Sequence, residues 1–369
     1  MPKENFYHPE LDGLRFFAFL LVFIHHAPIL LEKSFFATFH EYGWVGVDLF
    51  LCLSAFLFAR LLFIEHQAKG DINIKNFYIR RALRIWPLYF IFLGIMLVLT
   101  VRELGWSASL FQRTLGATVF ADNIFAAFFG YNQIANSPHL WTISYEEQFY
   151  AIIPWSLRKI FKMERDKKIR VILFVFLTFS LIRAALIYFT VPHPAIWVLP
   201  ITHFESILGG LVVGLGLADD RLKKIPAWLL MTAGIVSLTI VSALPNAGLI
   251  TWYLMLTYPL VGLGTSLILS SVVREKQWFV KSVLQHKWLA YLGKISYGLY
   301  VYHLLAINYG AKIAQALSIS QKRLVVYPVS VFGIALCLTI LVSIASYQLM
   351  EKPFLRLKER FSSIESRPI

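Results

Sequence analysis

Arg15 and His26 stand eleven residues apart in one apolar run of the sequence. On a helix that separation is about three turns, so both side chains project from one face, roughly 16 Å apart along the axis. His25 points about 100° away from that face and reads as a packing or interfacial histidine. Asp48, Glu146, Glu147, His203, Glu205 and His303 lie in other apolar runs. Ser296, Tyr300 and His303 follow an i, i+4, i+7 spacing, again one helix face. A histidine near carboxylates is the equipment of general acid–base chemistry: the ring takes a proton from a hydroxyl and a carboxylate supports the imidazolium. A second cluster, Arg80, Arg81 and Arg84, stands just before Pro87. Arginine forks grip phosphates through paired hydrogen bonds, and Arg80 and Arg84 are one helical turn apart. Taken singly, each buried polar residue reads equally well as a helix–helix hydrogen bond, and the arginines as a topology anchor.

The elements that must position these residues are membrane helices. The 369 residues are 58% hydrophobic and only 15% charged, against about 45–50% and about 25% in soluble domains. This excludes a disordered chain, a disulfide-rich secreted scaffold and an ordinary cytosolic enzyme. Apolar runs fall at roughly 11–31, 43–64, 86–101, 141–157, 170–190, 197–217, 226–244, 249–272, 288–311 and 324–350, most of them long enough to cross a bilayer. The fold expected is an all-α membrane bundle of about ten transmembrane helices. The segment 113–130 carries Asp122 and Asn123 and reads as a re-entrant or interfacial piece. No internal repeat is visible. Of the 35 Lys and Arg residues, 25 fall in one alternate set of connecting segments and 6 in the other. That asymmetry places both termini in the cytoplasm. It also accounts for the net charge of +14 without invoking nucleic acid. Cys52 and Cys337 lie in apolar runs and build neither a metal cluster nor a disulfide framework; no metal site is expected.

With that orientation Arg15 is near the inner edge. His26, Asp48, Glu146, Glu147, His203, Glu205 and His303 all fall in the outer half. Independent packing residues have no reason to share a depth, whereas a water-accessible, proton-transferring pocket does. A proton-coupled transporter or flippase is the competing class. The cytoplasmic arginine cluster and the lack of repeats count against it.

Several segments in order resemble the acyltransferase-3 family of integral membrane O-acyltransferases. They are Leu11-Asp12-Gly13-Leu14-Arg15 followed by His26, Gly46-Val47-Asp48-Leu49-Phe50 with Leu53-Ser54, and Phe77-Tyr78 with Arg80-Arg81-Ala82-Leu83-Arg84-Ile85, Pro87 and Tyr89. Trp141-Thr142-Ile143-Ser144-Tyr145-Glu146 follows, then Ser296-Tyr297-Gly298-Leu299-Tyr300 with His303, then Ser346-Tyr347 and Glu351-Lys352-Pro353-Phe354. Ala55, Thr142 and Tyr145 depart from the family pattern without removing a reactive group. The resemblance implies a single transmembrane acyltransferase domain over 1–369, without an appended soluble domain, in a bacterial inner or plasma membrane. It implies acyl-CoA, acetyl-CoA by family weighting, as co-substrate rather than a resident cofactor. The acceptor is a hydroxyl of a cell-surface carbohydrate, a lipid-linked sugar or another glycosylated molecule. Arg15, Arg80, Arg81 and Arg84 are then expected to hold the CoA phosphates. His26 is expected to act as general base or to become transiently acylated, with Asp48 or Glu146 orienting it. Tyr300, Ser296 and His303 are candidates for the oxyanion or acceptor side.

Overall fold

The computed structural model describes residues 4–28, 35–274, 277–319, 321, 325–362 and 364–365. Lys3, Lys33, Lys276, Lys322, Arg323 and Arg367, which enter the charge count above, lie outside the described residues. Strand β1 (Glu4–Asn5) pairs in parallel with β2 (Ile364–Glu365). The rest of the described chain is helix and turn. In order the α-helices are α1 (Pro9–His26), α2 (Phe35–Tyr42), α3 (Val45–Lys69), α4 (Ile74–Leu104), α5 (Ala108–Thr118) and α6 (Asp122–Phe129). Then come α7 (Trp141–Ile160), α8 (Arg165–Tyr188), α9 (Ala195–Val198), α10 (Glu205–Gly214), α11 (Asp219–Leu222) and α12 (Ala227–Ser242). The last are α13 (Leu254–Val272), α14 (Phe279–Leu284), α15 (Lys287–Lys294), α16 (Ser296–Ala316), α17 (Val326–Ser346) and α18 (Lys352–Glu359).

Each expected run contains a helix, but among the described residues only five helical stretches are long and apolar enough to cross a membrane: Val45–Lys69, Ile74–Leu104, Arg165–Tyr188, Leu254–Val272 and Val326–Glu359. The others are short, interrupted or polar. Run 197–217 divides into α9 and α10, and run 288–311 breaks at Ile295 between α15 and α16. Segment 113–130 forms the end of α5 and the short α6. The third run is longer than its apolar stretch suggests. Asn73 caps α4 by accepting from the Asn76 amide, so the helix starts at Ile74 and the arginines lie inside it. Its first turns are polar, which hides them from an apolar-run criterion, yet Arg, Lys, Leu and Ala are good helix formers. Pro87 continues within α4 without ending it.

Helix α1 packs on α2, α3, α15 and α16. Two close approaches fix it. A Cβ on Gly46 of α3 would lie 2.3 Å from the Ala18 carbonyl oxygen, and one on Gly293 of α15 would lie 1.6 Å from that of Asp12. Only glycine lets these backbones meet, and between them they set the position of the α1 face that carries Arg15 and His26. At the other extreme α8 is peripheral: Phe174, Leu177 and Leu181 are 69%, 58% and 70% exposed, the surface expected of a helix bathed in lipid. A π-helical turn, Tyr347–Glu351, joins α17 to α18 and swings α18 onto α4. That turn brings Lys358 to the arginines.

Candidate active site

Three cavities follow one another through the bundle. The first, about 70 Å³, is lined by His8, Asp12, Arg15, Arg81, Arg84 and Lys358 among others. The second, about 100 Å³, shares Arg15, Ser54, Arg81 and Arg84 with the first and adds Glu146, Tyr150, Ser296 and Tyr297. The third, about 280 Å³, shares Val47, Thr142 and Tyr300 with the second and is walled by His25, His26, His139, Trp44, Trp141 and Trp197. Cationic at one end and histidine-lined at the other, the row runs beside α1 from Arg15 to His26.

His26 is exposed to the third cavity. Its Nδ1 lies 2.9 Å from the Val22 carbonyl oxygen and 3.3 Å from His303 Nε2. A carbonyl can only accept, so Nδ1 carries the proton and the Nε2 lone pair is left free. His303 is fully buried, and its Nδ1 donates to the Tyr300 carbonyl at 2.5 Å, which leaves its Nε2 to accept from His26. The ring partner of His26 is therefore another histidine. Asp48 and Glu146 are the carboxylates expected to orient it, and neither hydrogen-bonds His26 among the described residues. Asp48 faces away from α1 and accepts from His203 Nε2 at 2.9 Å and Ser206 Oγ at 2.6 Å. Glu146 lies across the second cavity among Arg15, Arg81 and Arg84 and accepts from Tyr150 at 2.5 Å. The shared depth inferred from sequence thus covers separate groupings. Glu147 belongs to neither, accepting instead from Trp86 Nε1 at 3.3 Å.

His25 has a structural contact. Its Nδ1 meets the His40 carbonyl at 2.7 Å, and His40 Nδ1 meets the Ile24 carbonyl at 3.1 Å, a reciprocal clasp between α1 and α2. Within the arginine cluster the roles divide. Arg80 pairs with buried Glu65 at 3.1 Å and donates to the Phe361 carbonyl, so it ties α4 to α3 and is not turned to the cavity. Arg81 stacks over Phe58 at 4.5 Å and borders both inner cavities. Arg15 donates to Asp12 at 2.9 Å and still borders both. Arg158, in the last turn of α7, forks onto Asp71 in the loop before α4, and this hydrogen bonding holds that carboxyl below its ordinary range.

Sequence reasoning passed over His139, Lys358 and Glu65. His139 precedes the apolar run of α7, yet it is buried with its ring 4.8 Å from that of His303. Lys358 counted only as a basic terminal residue. A further buried network surrounds Asp48: Arg183 pairs with Glu205 at 2.6 Å, donates to the Thr202 carbonyl and lies 5.1 Å over Tyr258, while Tyr145 donates to the His203 carbonyl. It holds α8, α10 and α3 together and does not open to the histidines. Between the second and third cavities, Thr142 and Tyr300 hydroxyls hydrogen-bond at 2.7 Å. Thr142 donates to the His139 carbonyl at 3.0 Å, so it accepts from Tyr300.

A family model described as an acyltransferase domain matches residues 8–348. Proteins of Staphylococcus aureus strains MSSA476 and MW2, whose names describe them provisionally as O-acetyltransferases, are each 29% identical over 390 residues, covering 99% of this chain and 60% of their own length. The O-acetyltransferase OatA of S. aureus strain NCTC 8325 / PS 47 is 26% identical over 377 residues, 94% of this chain and 57% of its own length. The chain thus spans about 60% of the length of these curated relatives. No solved structure matches it significantly. With nearly its whole length matched, the chain belongs to this family of membrane acyltransferase domains.

Proposed function

We propose that the chain transfers an acyl group, acetyl in the simplest case, from acyl-CoA to a hydroxyl of a cell-surface carbohydrate or other glycosylated molecule at the plasma membrane. The observation that carries the reading is the row of cavities, basic at one end and bearing a free imidazole nitrogen at the other. The CoA phosphates sit against Arg15, Arg81, Arg84 and Lys358. The Arg15–His26 separation of about 16 Å is comparable to an extended pantetheine arm, which brings the thioester to the third cavity. His26 Nε2 takes the acceptor hydroxyl proton as the oxygen attacks the thioester carbonyl. The carbon–sulfur bond then breaks, the ester forms, and the CoA sulfur leaves with the proton returned from His26. The Tyr300 hydroxyl, at the wall shared by the two cavities, turns its proton from Thr142 to the oxyanion and serves as its donor.

Purified protein should consume acetyl-CoA and label a saccharide acceptor. A carrier would leave the thioester intact. Arg84→Ala should raise KM for acetyl-CoA about tenfold, the loss of one charge-assisted contact, with little change in the acceptor KM. Arg84→Lys should recover only part, since a point charge cannot make the two-pronged contact. An unchanged donor KM would reduce Arg84 to a topology anchor.

Ten spans with both ends cytoplasmic is the topology proposed, supported by the charge asymmetry and by the β1–β2 pairing of the two ends. Single cysteines at Glu103 and Gly248 should react with an impermeant thiol reagent added outside, and those at Lys69 and Lys167 should not. All four positions are exposed, so burial does not decide the outcome. The opposite labelling would reverse the orientation and the donor side with it.

A further inference from the structure

A fourth cavity, of about 1010 Å³, adjoins the first and shares Phe6 and His8 with it. Its wall comes from α3, α11, α12 and α13 and carries Arg60, Lys223, Lys224 and Arg274. Arg274 is spent on the Leu222 and Ile225 carbonyls, and Lys223 pairs with Asp219 at 3.3 Å, the one carboxylate on this wall. The side chains of Arg60 and Lys224 have no hydrogen bond or ion pair among the described residues. Trp228 and Trp278 add broad apolar faces. Ser270 is 5% exposed, and its Oγ has no hydrogen-bond partner; nor has the buried Nε1 of Trp278. A buried polar group left unpaired is costly, and here two such groups border one cationic, aromatic-walled cavity. The mechanism above uses none of them.

Free cations, flat aromatic surfaces and spare hydrogen-bonding groups together fit a phosphorylated aromatic ligand. Aromatic side chains stack on any nucleobase, and arginine and lysine meet its phosphates. We infer that this cavity holds the nucleotide end of the donor, with the base against Trp228 or Trp278 and the ribose phosphate toward Arg60 and Lys224. The inference rests on the acyl-CoA reading and deepens it. The pyrophosphate then lies at Arg15, Arg81, Arg84 and Lys358, next to the shared Phe6–His8 wall. The four cavities in sequence take the nucleotide, the pyrophosphate, the arm and the thioester. A phosphorylated lipid headgroup offers similar charge, and tryptophans favour membrane interfaces; the test separates the two.

The experiment measures thioester consumption by full-length protein in phosphatidylcholine vesicles. Two donors are compared: acetyl-CoA, and acetyl-pantetheine, which has the thioester and arm but no nucleotide. The variants are Arg60→Gln with Lys224→Gln, and separately Trp228→Ala. Each should raise KM for acetyl-CoA about tenfold or more, with kcat unchanged and acetyl-pantetheine kinetics unchanged. The second donor also reports that the variants are folded. Adenosine 3′,5′-bisphosphate should compete with acetyl-CoA in the parent and lose that effect in the variants. Equal losses with both donors, an unchanged acetyl-CoA KM, or a defect seen only when phosphatidylglycerol is present would overturn the assignment, the last in favour of a lipid. If the parent protein consumes neither donor, the acyl-CoA reading itself fails and the nucleotide subsite falls with it.

Discussion

His26→Ala should reduce acyl transfer by about 10²–10⁴, the usual worth of a positioned general base, while the protein inserts and accumulates normally. The ring opens into a cavity rather than filling the core, so its removal breaks no packing on which α1 depends. Helix α1 is held instead by its glycine contacts with α3 and α15. His303→Ala should cost less in rate. It removes the acceptor that, with the Val22 carbonyl, keeps the His26 proton on Nδ1, so its mark is an altered pH–rate profile rather than abolished turnover. His25→Ala loosens the clasp to α2 and should leave most of the activity. The measurement is acyl transfer per unit of inserted protein for the three variants together. A fully active His26→Ala would move the chemistry out of this cavity.

The largest stability effect is expected at the Arg183–Glu205 pair. The two side chains are 1% and 8% exposed and 2.6 Å apart. Removing Glu205 alone leaves the guanidinium buried without its counter-charge, and breaking such a pair typically costs about 3–5 kcal/mol. Glu205→Leu should therefore lower the midpoint of thermal unfolding in detergent sharply and reduce abundance in the membrane. Arg183→Leu with Glu205→Leu should restore much of the loss, because replacing both charges removes the desolvation burden. If the double variant is no better than the single, the pair contributes through its further contacts with Thr202 and Tyr258 rather than through charge.

The sequence makes the helices legible for a physical reason. A bilayer demands long apolar runs, and composition alone betrays them. Where function needs polar groups inside the protein the same signal fades, so α4 was foreseen too short and α16 as one piece with α15. The spacing of Arg15 and His26 was readable because one helix carries both. Which carboxylate met which histidine was not, because it depends on crossing angles between helices remote in sequence. Asp48 of α3 finds His203, in the turn before α10 and 155 residues away. His139 escaped notice for a third reason: it lies in a 3₁₀ turn, Pro138–Leu140, outside any apolar run, and is buried only when α16 packs against it.

The hydroxyl contact between Thr142 and Tyr300 has a consequence beyond the transfer reaction. A file of polar cavities across a bilayer is a short circuit for protons, and a cell that stores energy as a proton-motive force cannot tolerate it. Two side chains meeting at 2.7 Å stand where the basic and histidine-lined halves adjoin. On the proposed reading, an arm that crosses this point parts the two hydroxyls, and their re-formed contact keeps a continuous water column from linking the halves between turnovers.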